Sequence, residues 1–451
     1  MSEQEIKIQN RIGRVDELVL TTNDKTANNS LENYSQLLFP QAGETTPRLR
    51  FKGFKGEWRK IRVGNCGSWS KGKLLSKQDL VNNGKFKCIH YGELFVIYGE
   101  VITNVVSRTN LNTGCFSQVG DILFPDSDVT PTGLARCSSI MEDSVILGGG
   151  ILILHPYSDY YSPFLSYAIN NEKNQIIRRV TGTTVRHINA KALSEIEINV
   201  PVDYLEQQQI ASFLLHLDEQ IVIKQQELER LNQMKRACLI TLFPDNQTLT
   251  PPLRFKGYSG KWIIRQLSSI ASFSKGKGYS KNDLQDTGTP IILYGRMYTR
   301  YSTIIDDVDT YVTRKPNSVL SQGNEIIIPA SGETPEDIAC ASVVQKEGVI
   351  LGGDLNVIRL TDSLCDSYFT ALSITYGDVH KELAKYAQGK TVVHLHNSEI
   401  CKVSIAYPPT IEEQRCIASF FQTIDNRILL LSRQAAHLDE IKKACLNQMI
   451  A

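Results

Sequence analysis

The sequence has no stretch of the roughly 18 apolar residues that a membrane-crossing helix needs, so no membrane partner is expected. Its opening, MSEQEIKIQNR, lacks the apolar core of a secretory signal, and a cytoplasmic location is expected. The ten cysteines form no CxxC pair and no His/Cys cluster at zinc spacing. They read as reduced, mostly buried thiols, with no metal site. An excess of one charge is missing too: 49 Lys and Arg face 48 Asp and Glu. Any surface for a polyanion must therefore be local. With 41% hydrophobic and 22% charged residues in 451, the make-up is that of a globular protein long enough for two domains or more.

Catalytic signatures are also lacking. AKYAQGKT (Ala384 to Thr391) fits a relaxed phosphate-loop pattern, but Ala384 replaces the first glycine and a helical VHKELAKY precedes it. YPPT (Tyr407 to Thr410) lacks the polar first residue and final aromatic of an amino-methyltransferase motif. KGKG (Lys275 to Gly278) is not GxGxxG. No catalytic residue is assigned.

What the sequence does contain is itself, twice. TPRLRFKGFKGEW at Thr46 returns as TPPLRFKGYSGKW at Thr250, 204 residues later. SKGKLLSKQDL (from Ser70) returns as SKGKGYSKNDL (from Ser274), and VILGG (from Val145) as VILGG (from Val349), at the same offset. After a three-residue insertion the offset becomes 207, relating GTTVRHI (from Gly182) to GKTVVHL (from Gly389) and EQQQIASFL (from Glu206) to EQRCIASFF (from Glu413).

Each copy has two parts. The first is rich in Gly, Tyr and Ser, with short β-type runs such as DILF and EIIIP, and predicts a mixed α/β (α+β) globular domain. The second begins after Pro201 or Pro409 and runs without Gly or Pro, predicting a helix of about 40 residues, near 60 Å long. Ile210, Leu214, Leu217, Ile221, Leu228 and Leu231 follow a 4-3 spacing in the first, and Ile417, Phe421, Ile424, Ile428, Leu431 and Leu438 follow it in the second. A seam of period 3.5 is a coiled-coil signature, so the two helices are expected to pack on each other. Lys224, Lys235 and Lys442 fill gaps in the seam, where polar residues fix register. The expected divisions are a polar extension 1–45, domains 46–201 and 245–409, and helices 202–244 and 410–451. LLFP (Leu37 to Pro40) in the extension matches TLFP at the end of the first helix, which suggests a circularly arranged repeat.

Local positive charge recurs as well. Thr46 to Leu80 holds ten Lys or Arg against two acids, and Thr250 to Leu284 seven against one. Small residues let a backbone approach a phosphate that Lys and Arg neutralise. Candidate DNA contacts are Lys71, Lys73 and Lys77, repeated as Lys275, Lys277 and Lys281, and the loop residues Arg178, Arg179, Arg186, His187, Lys390, His394 and His396.

A domain opened by LRFKGFxGEW, closed by a G[ST]T…H loop and a P…EQxxIA helix, and then repeated, resembles the specificity (S) subunit of type I restriction-modification systems. The resemblance spans about Pro47 to Ala451. It implies two target recognition domains, one per half of a bipartite double-stranded DNA site, separated by long helices that form an antiparallel coiled coil. It also implies two modification subunits supplying S-adenosylmethionine and adenine-N6 methyl transfer, and restriction subunits using ATP and Mg, with no cofactor in this chain. Base-reading residues are then expected in the divergent stretches, roughly 81–144 and 285–348. A stand-alone double-headed DNA-binding protein is the alternative, and an enzyme acting alone a third reading.

Overall fold

The computed structural model describes residues 47, 49–244, 248–389 and 392–449. The extension 1–45, with its LLFP segment, and Lys390 lie outside the described residues. Two compact units divide the chain: unit 1 takes the residues up to 224 and those from 434 onward, and unit 2 takes 225–433.

Unit 1 is built on a five-stranded sheet of β1 (Gly67–Lys71), β2 (Val101–Ile102), β3 (Ile122–Pro125), β4 (Ser138–Ile140) and β5 (Ile151–Pro156), in the order β1-β5-β3-β4-β2. Neighbours run antiparallel except β4 and β2, which are parallel. The central strand β3 is buried along its whole length, which accounts for its unbroken apolar run. Its residues alternate between two cores, as the period of two requires. Ile122 and Phe124 join Trp58, Phe164 and Tyr167, whereas Leu123 joins Ile89, Leu147 and Ile153. The first of these cores lies under the helix Ser162–Asn171, where Trp58 meets Phe164 edge-on at 5.8 Å.

Unit 2 repeats the sheet with β6 (Ala271–Lys275), β7 (Ile304–Ile305), β8 (Glu325–Pro329), β9 (Ser342–Val344) and β10 (Leu355–Leu360), in the order β6-β10-β8-β9-β7. Even the register is kept. Lys71 stands opposite Leu152 on β5, and Lys275 opposite Asn356 on β10. Trp262 meets Phe369 of the helix Ser367–Thr375 at 5.5 Å.

The long helices span Tyr204–Thr241 and Ile411–Met449, and each contributes to both units. In unit 1 the start of the central helix packs against the end of the C-terminal one: Ile210 and Leu214 share a core with Cys445 and Met449. In unit 2 the end of the central helix meets the start of the other, with Leu239 and Leu242 beside Ile417, Phe421 and Ile424. The pairing is antiparallel. Among the seam residues Leu217 and Leu431 are also buried, and Ile221, Leu228, Leu231, Ile428 and Leu438 are partly so.

Two lysines of the seam are held in place by acids. Lys442 lies 2.6 Å from Asp218 and 3.2 Å from Glu100, and Tyr167 donates its hydroxyl to Asp218 at 2.6 Å. Burial works against the charge on Lys442, but Glu100 and Asp218 outweigh it and raise its pKa. In unit 2, Lys235 lies 2.5 Å from Asp425, which also accepts from Tyr368 at 3.1 Å.

A second pair of ionic contacts fastens each helix start to its domain. Arg50 donates through Nε and Nη2 to both oxygens of Glu206, at 2.6 and 2.7 Å. Arg254 grips Glu413 in the same way, at 2.7 Å for each bond. The spare donors reach backbone: Arg50 Nη1 bonds the Gly56 carbonyl at 2.6 Å and Arg254 Nη2 the Ser259 carbonyl at 2.9 Å. Gly56 and Gly260 have φ of +96° and +86°, conformations in which a glycine is unstrained. The next residue locks the same joint. Gln207 accepts from the Tyr161 amide and donates to the Pro201 carbonyl, and Gln414 accepts from Asp366 and donates to Leu364. The recurring LRFKG and EQ strings are thus two halves of one fastening.

Arg254→Met leaves the Glu413 carboxylate buried without its partner and is expected to destabilise unit 2 by about 3 kcal/mol or more, read by urea unfolding. By the same measurement Lys442→Met is expected to cost more than Lys235→Met, because it leaves two carboxylates facing each other where the other leaves one.

Candidate nucleic-acid interface

The SKGK loop continues from the edge strand of each sheet and is pinned to the LGG loop. Gly72 N bonds the Ile151 carbonyl at 2.9 Å, Lys73 N the Leu147 carbonyl at 3.1 Å, and Gly149 N the Leu74 carbonyl at 2.8 Å. Unit 2 has the equivalent three bonds: Gly276 N to Leu355, Lys277 N to Leu351 and Gly353 N to Gly278, at 2.9, 3.1 and 2.7 Å. The backbones approach so closely that a Cβ on Gly72 would sit 2.1 Å from the Gly148 carbonyl oxygen, and on Gly276 1.9 Å from that of Gly352. This explains why the glycines recur: two strings 75 residues apart, SKGK and VILGG, form one object. The run VILGGGILIL is accordingly cut into a short strand, Ile146–Leu147, and β5.

Lys71, Lys73 and Lys77 are exposed along this loop, as are Lys275, Lys277 and Lys281. Lys77 and Lys281 open single turns, Lys77–Asp79 and Lys281–Asp283, each closed by a reciprocal Ser–Asp cap. Lys71 differs from its counterpart because it pairs with Asp126 at 2.6 Å. Ala330 stands at the position of Asp126 in the second copy.

The segment after the central strand brings a second loop alongside. Arg186 and His187 pair with Asp128 and Ser127, and Ile188 N bonds the Asp126 carbonyl at 3.1 Å. In unit 2, His394 pairs with Ser331, and Leu395 N bonds the Ala330 carbonyl at 3.0 Å. Asn397 Nδ2 completes the joint by bonding the Ser274 carbonyl at 2.9 Å. The exposed rings of His394 and His396 stack in parallel, 6.3 Å apart. Among the described residues, Arg186 Nε and Asn397 Oδ1 are buried without a partner.

Arg178 and Arg179 precede this loop, whose Thr181 exchanges backbone hydrogen bonds with His187. Arg178 is exposed at the end of the helix Lys173–Ile177. Arg179 spends its guanidinium on the carbonyls of Gln175 and Glu195, at 2.9 and 3.2 Å, so it ties backbone together.

One trio has the look of catalysis. Ser70 Oγ lies 2.7 Å from His155 Nε2, and His155 Nδ1 lies 2.6 Å from Asp121, the spacing of a nucleophile–base–acid relay. In unit 2 the same positions hold Ser274, Arg359 and Glu325, with Arg359 donating to Ser274 at 3.1 Å and to Glu325 at 3.3 Å. A guanidinium has no acceptor and stays protonated, yet it bridges the same strands. Both trios are cross-links of the sheet. No group of three or more His, Cys, Asp or Glu able to hold a metal occurs among the described residues.

Residues that the repeat comparison left unassigned also shape the surface. Inside the divergent stretches, Tyr91-Gly92 and Tyr294-Gly295 recur 203 apart. Tyr91 packs over Gly150, where a Cβ would come within 3.0 Å of its ring. That offset of 203 was the available signal.

The duplicated domain, its pinned basic loops and the paired helices define a two-headed recognition protein. The chain belongs to the family of the type I restriction modification DNA specificity domain, whose model matches residues 55–233 and 259–440. It is a two-domain specificity subunit, the non-catalytic recognition component of a type I restriction-modification system. The type I restriction enzyme MjaVIII specificity subunit of Methanocaldococcus jannaschii is 20% identical over 299 residues, which cover 64% of this chain and 69% of that protein. The putative type I restriction enzyme MjaX specificity subunit of the same organism is 21% identical over 346 residues, 74% and 78% of the two. In fold, the chain is similar to the type I restriction-modification S subunit from M. genitalium, with a TM-score of 0.63 and 16% identity over 90% of this chain and 99% of that one. No described helix is long and apolar enough to cross a membrane.

Proposed function

We propose that units 1 and 2 each read one half of a bipartite DNA site, and that the long helices dock two copies of a modification subunit. The observation that carries this reading is the pinned SKGK–LGG loop pair, repeated with its hydrogen bonds intact while the flanking stretches diverge. A shared basic scaffold suits phosphate contacts, which carry no sequence information, and divergent flanks suit base reading. The helices support the docking: Val222 and Ile223 recur as Leu429 and Leu430, and all four are exposed. Apolar side chains repeated on a soluble surface fit two identical partners. Those partners would supply S-adenosylmethionine and methyl transfer, and a restriction subunit ATP- and Mg-dependent cleavage, in the cytoplasm.

Co-expression with a modification subunit, followed by a map of methylated adenines, tests this. The expected map shows one bipartite site, with no methyl transfer by the pure chain alone. Exchange of residues 81–180 for a relative's segment should alter one half-site only. A change in both halves would refute independent reading.

Lys73→Ala and Lys277→Ala should each weaken DNA binding without altering the preferred sequence, lowering the slope of log affinity against log salt by about one. Lys71→Ala should do less than Lys275→Ala, because Asp126 already neutralises Lys71. An altered consensus with an unchanged slope would make these lysines base readers.

A further inference from the structure

Leu74 is out of place by two criteria. It is 65% exposed, and its backbone has φ +55°, as does that of Leu75. Left-handed backbone is unfavourable for a leucine and free for a glycine. The second copy confirms that glycine suffices: Gly278 and Tyr279 hold the corresponding positions with φ of +60° and +61°. The loop geometry is therefore fixed by the scaffold, and Leu74 pays a strain that Gly278 avoids, without burying its side chain in a core. Strained, exposed residues of this kind cluster at functional sites.

Its surroundings indicate what it meets. Leu74 borders an open cleft of about 540 Å³, lined also by Leu75, His90, Tyr91 and Leu111. The rings of His90 and Tyr91 lie 4.6 Å apart. Asp79, the cleft's carboxylate, is occupied by the amide and hydroxyl of Ser76, both at 2.7 Å. Exposed Lys73 and Lys77 flank the leucine in sequence. An apolar point set among cations suits a polyanion with an apolar spot. Among base edges in the major groove, only thymine offers one, its 5-methyl group. The copies differ just here. Gly278 replaces Leu74, and at the offset of 203 Arg314 replaces Leu111. A scaffold kept in both copies thus displays different side chains at its tip.

We propose that Leu74 is a specificity-determining residue that contacts the 5-methyl group of a thymine in the half-site read by unit 1, with Leu111 and Tyr91 completing the apolar wall. The proposal rests on the DNA-reading function assigned above. Amides on both sides hold Leu74 rigidly, through Lys73 N to Leu147 and Gly149 N to Leu74. Its backbone therefore loses little freedom on contact.

The test uses the full chain assembled with its modification subunit, on a duplex carrying the site found by methylation mapping. Each thymine of the unit 1 half-site, on either strand, is replaced in turn by deoxyuridine, which removes only the methyl group. At one position the wild-type complex should bind about fourfold more weakly, the worth of one buried methyl group. Leu74→Gly should weaken binding to the unmodified site about tenfold or more, and should be indifferent to deoxyuridine at that one position. Its melting temperature should equal or exceed that of the wild type, because the strain is gone. Unchanged affinity in Leu74→Gly, a loss uncoupled from every thymine methyl, or a lowered melting temperature would each overturn the proposal. Failure of the wild-type complex to recognise a bipartite site would instead overturn the underlying reading, whatever Leu74 does.

Discussion

The buried grip of Arg50 on Glu206, repeated by Arg254 on Glu413, is the contact on which the organisation of each unit depends. Both glutamates are shut off from water, and a buried carboxylate is tolerable only when paired and hydrogen-bonded. Each pair joins the string that opens a domain to the first turn of the helix that leaves it, across 156 and 159 residues of sequence. Because the arginine also bonds the carbonyls of its own turn, the opening string, the helix start and the domain are fixed in one step. The direction in which each helix leaves follows from that joint.

Duplication supplies an internal control for the rest. Where the copies agree, as in the amides that pin the SKGK loops, the chemistry belongs to the scaffold. Where they differ in residue type but keep the same connections, the position is structural. Ser70, His155 and Asp121 are the instructive case, since Arg359 bridges Ser274 and Glu325 in the place of His155 although a guanidinium cannot act as a base. Where the copies differ in what they expose on an unchanged backbone, as at Leu74 and Gly278, the position is free to carry specificity.

The duplication, the mixed α/β domains and the long paired helices were legible in the sequence because they rest on local signals: a constant offset, a 3.5-residue period and the absence of Gly and Pro. The family resemblance rested on strings whose purpose is now visible as a fastening. Other features depend on which distant residues meet, and no local pattern carries that. Asp126 beside Lys71, Gly149 beneath Leu74 and Tyr91 over Gly150 are such meetings. Arg179, beside the Gly-Thr-Thr loop, is another case. Adjacency in sequence grouped Arg178 and Arg179 with the basic loop, and it gave no sign of the bonds by which Arg179 also ties the Gln175 and Glu195 carbonyls.

The composition of unit 1 from two separate stretches has a consequence for biosynthesis. Unit 2 is continuous from 225 to 433, but unit 1 needs the segment from 434 onward, which is synthesised after unit 2. Until then the face of the central helix that carries Ile210, Leu214 and Asp218 lacks Cys445, Met449 and Lys442. Unit 1, begun before unit 2, is thus completed after it, with apolar surface uncovered while all of unit 2 is being made. Contacts of such long sequence separation form slowly. The nascent chain therefore passes through a stage at which its second domain can be complete and its first cannot.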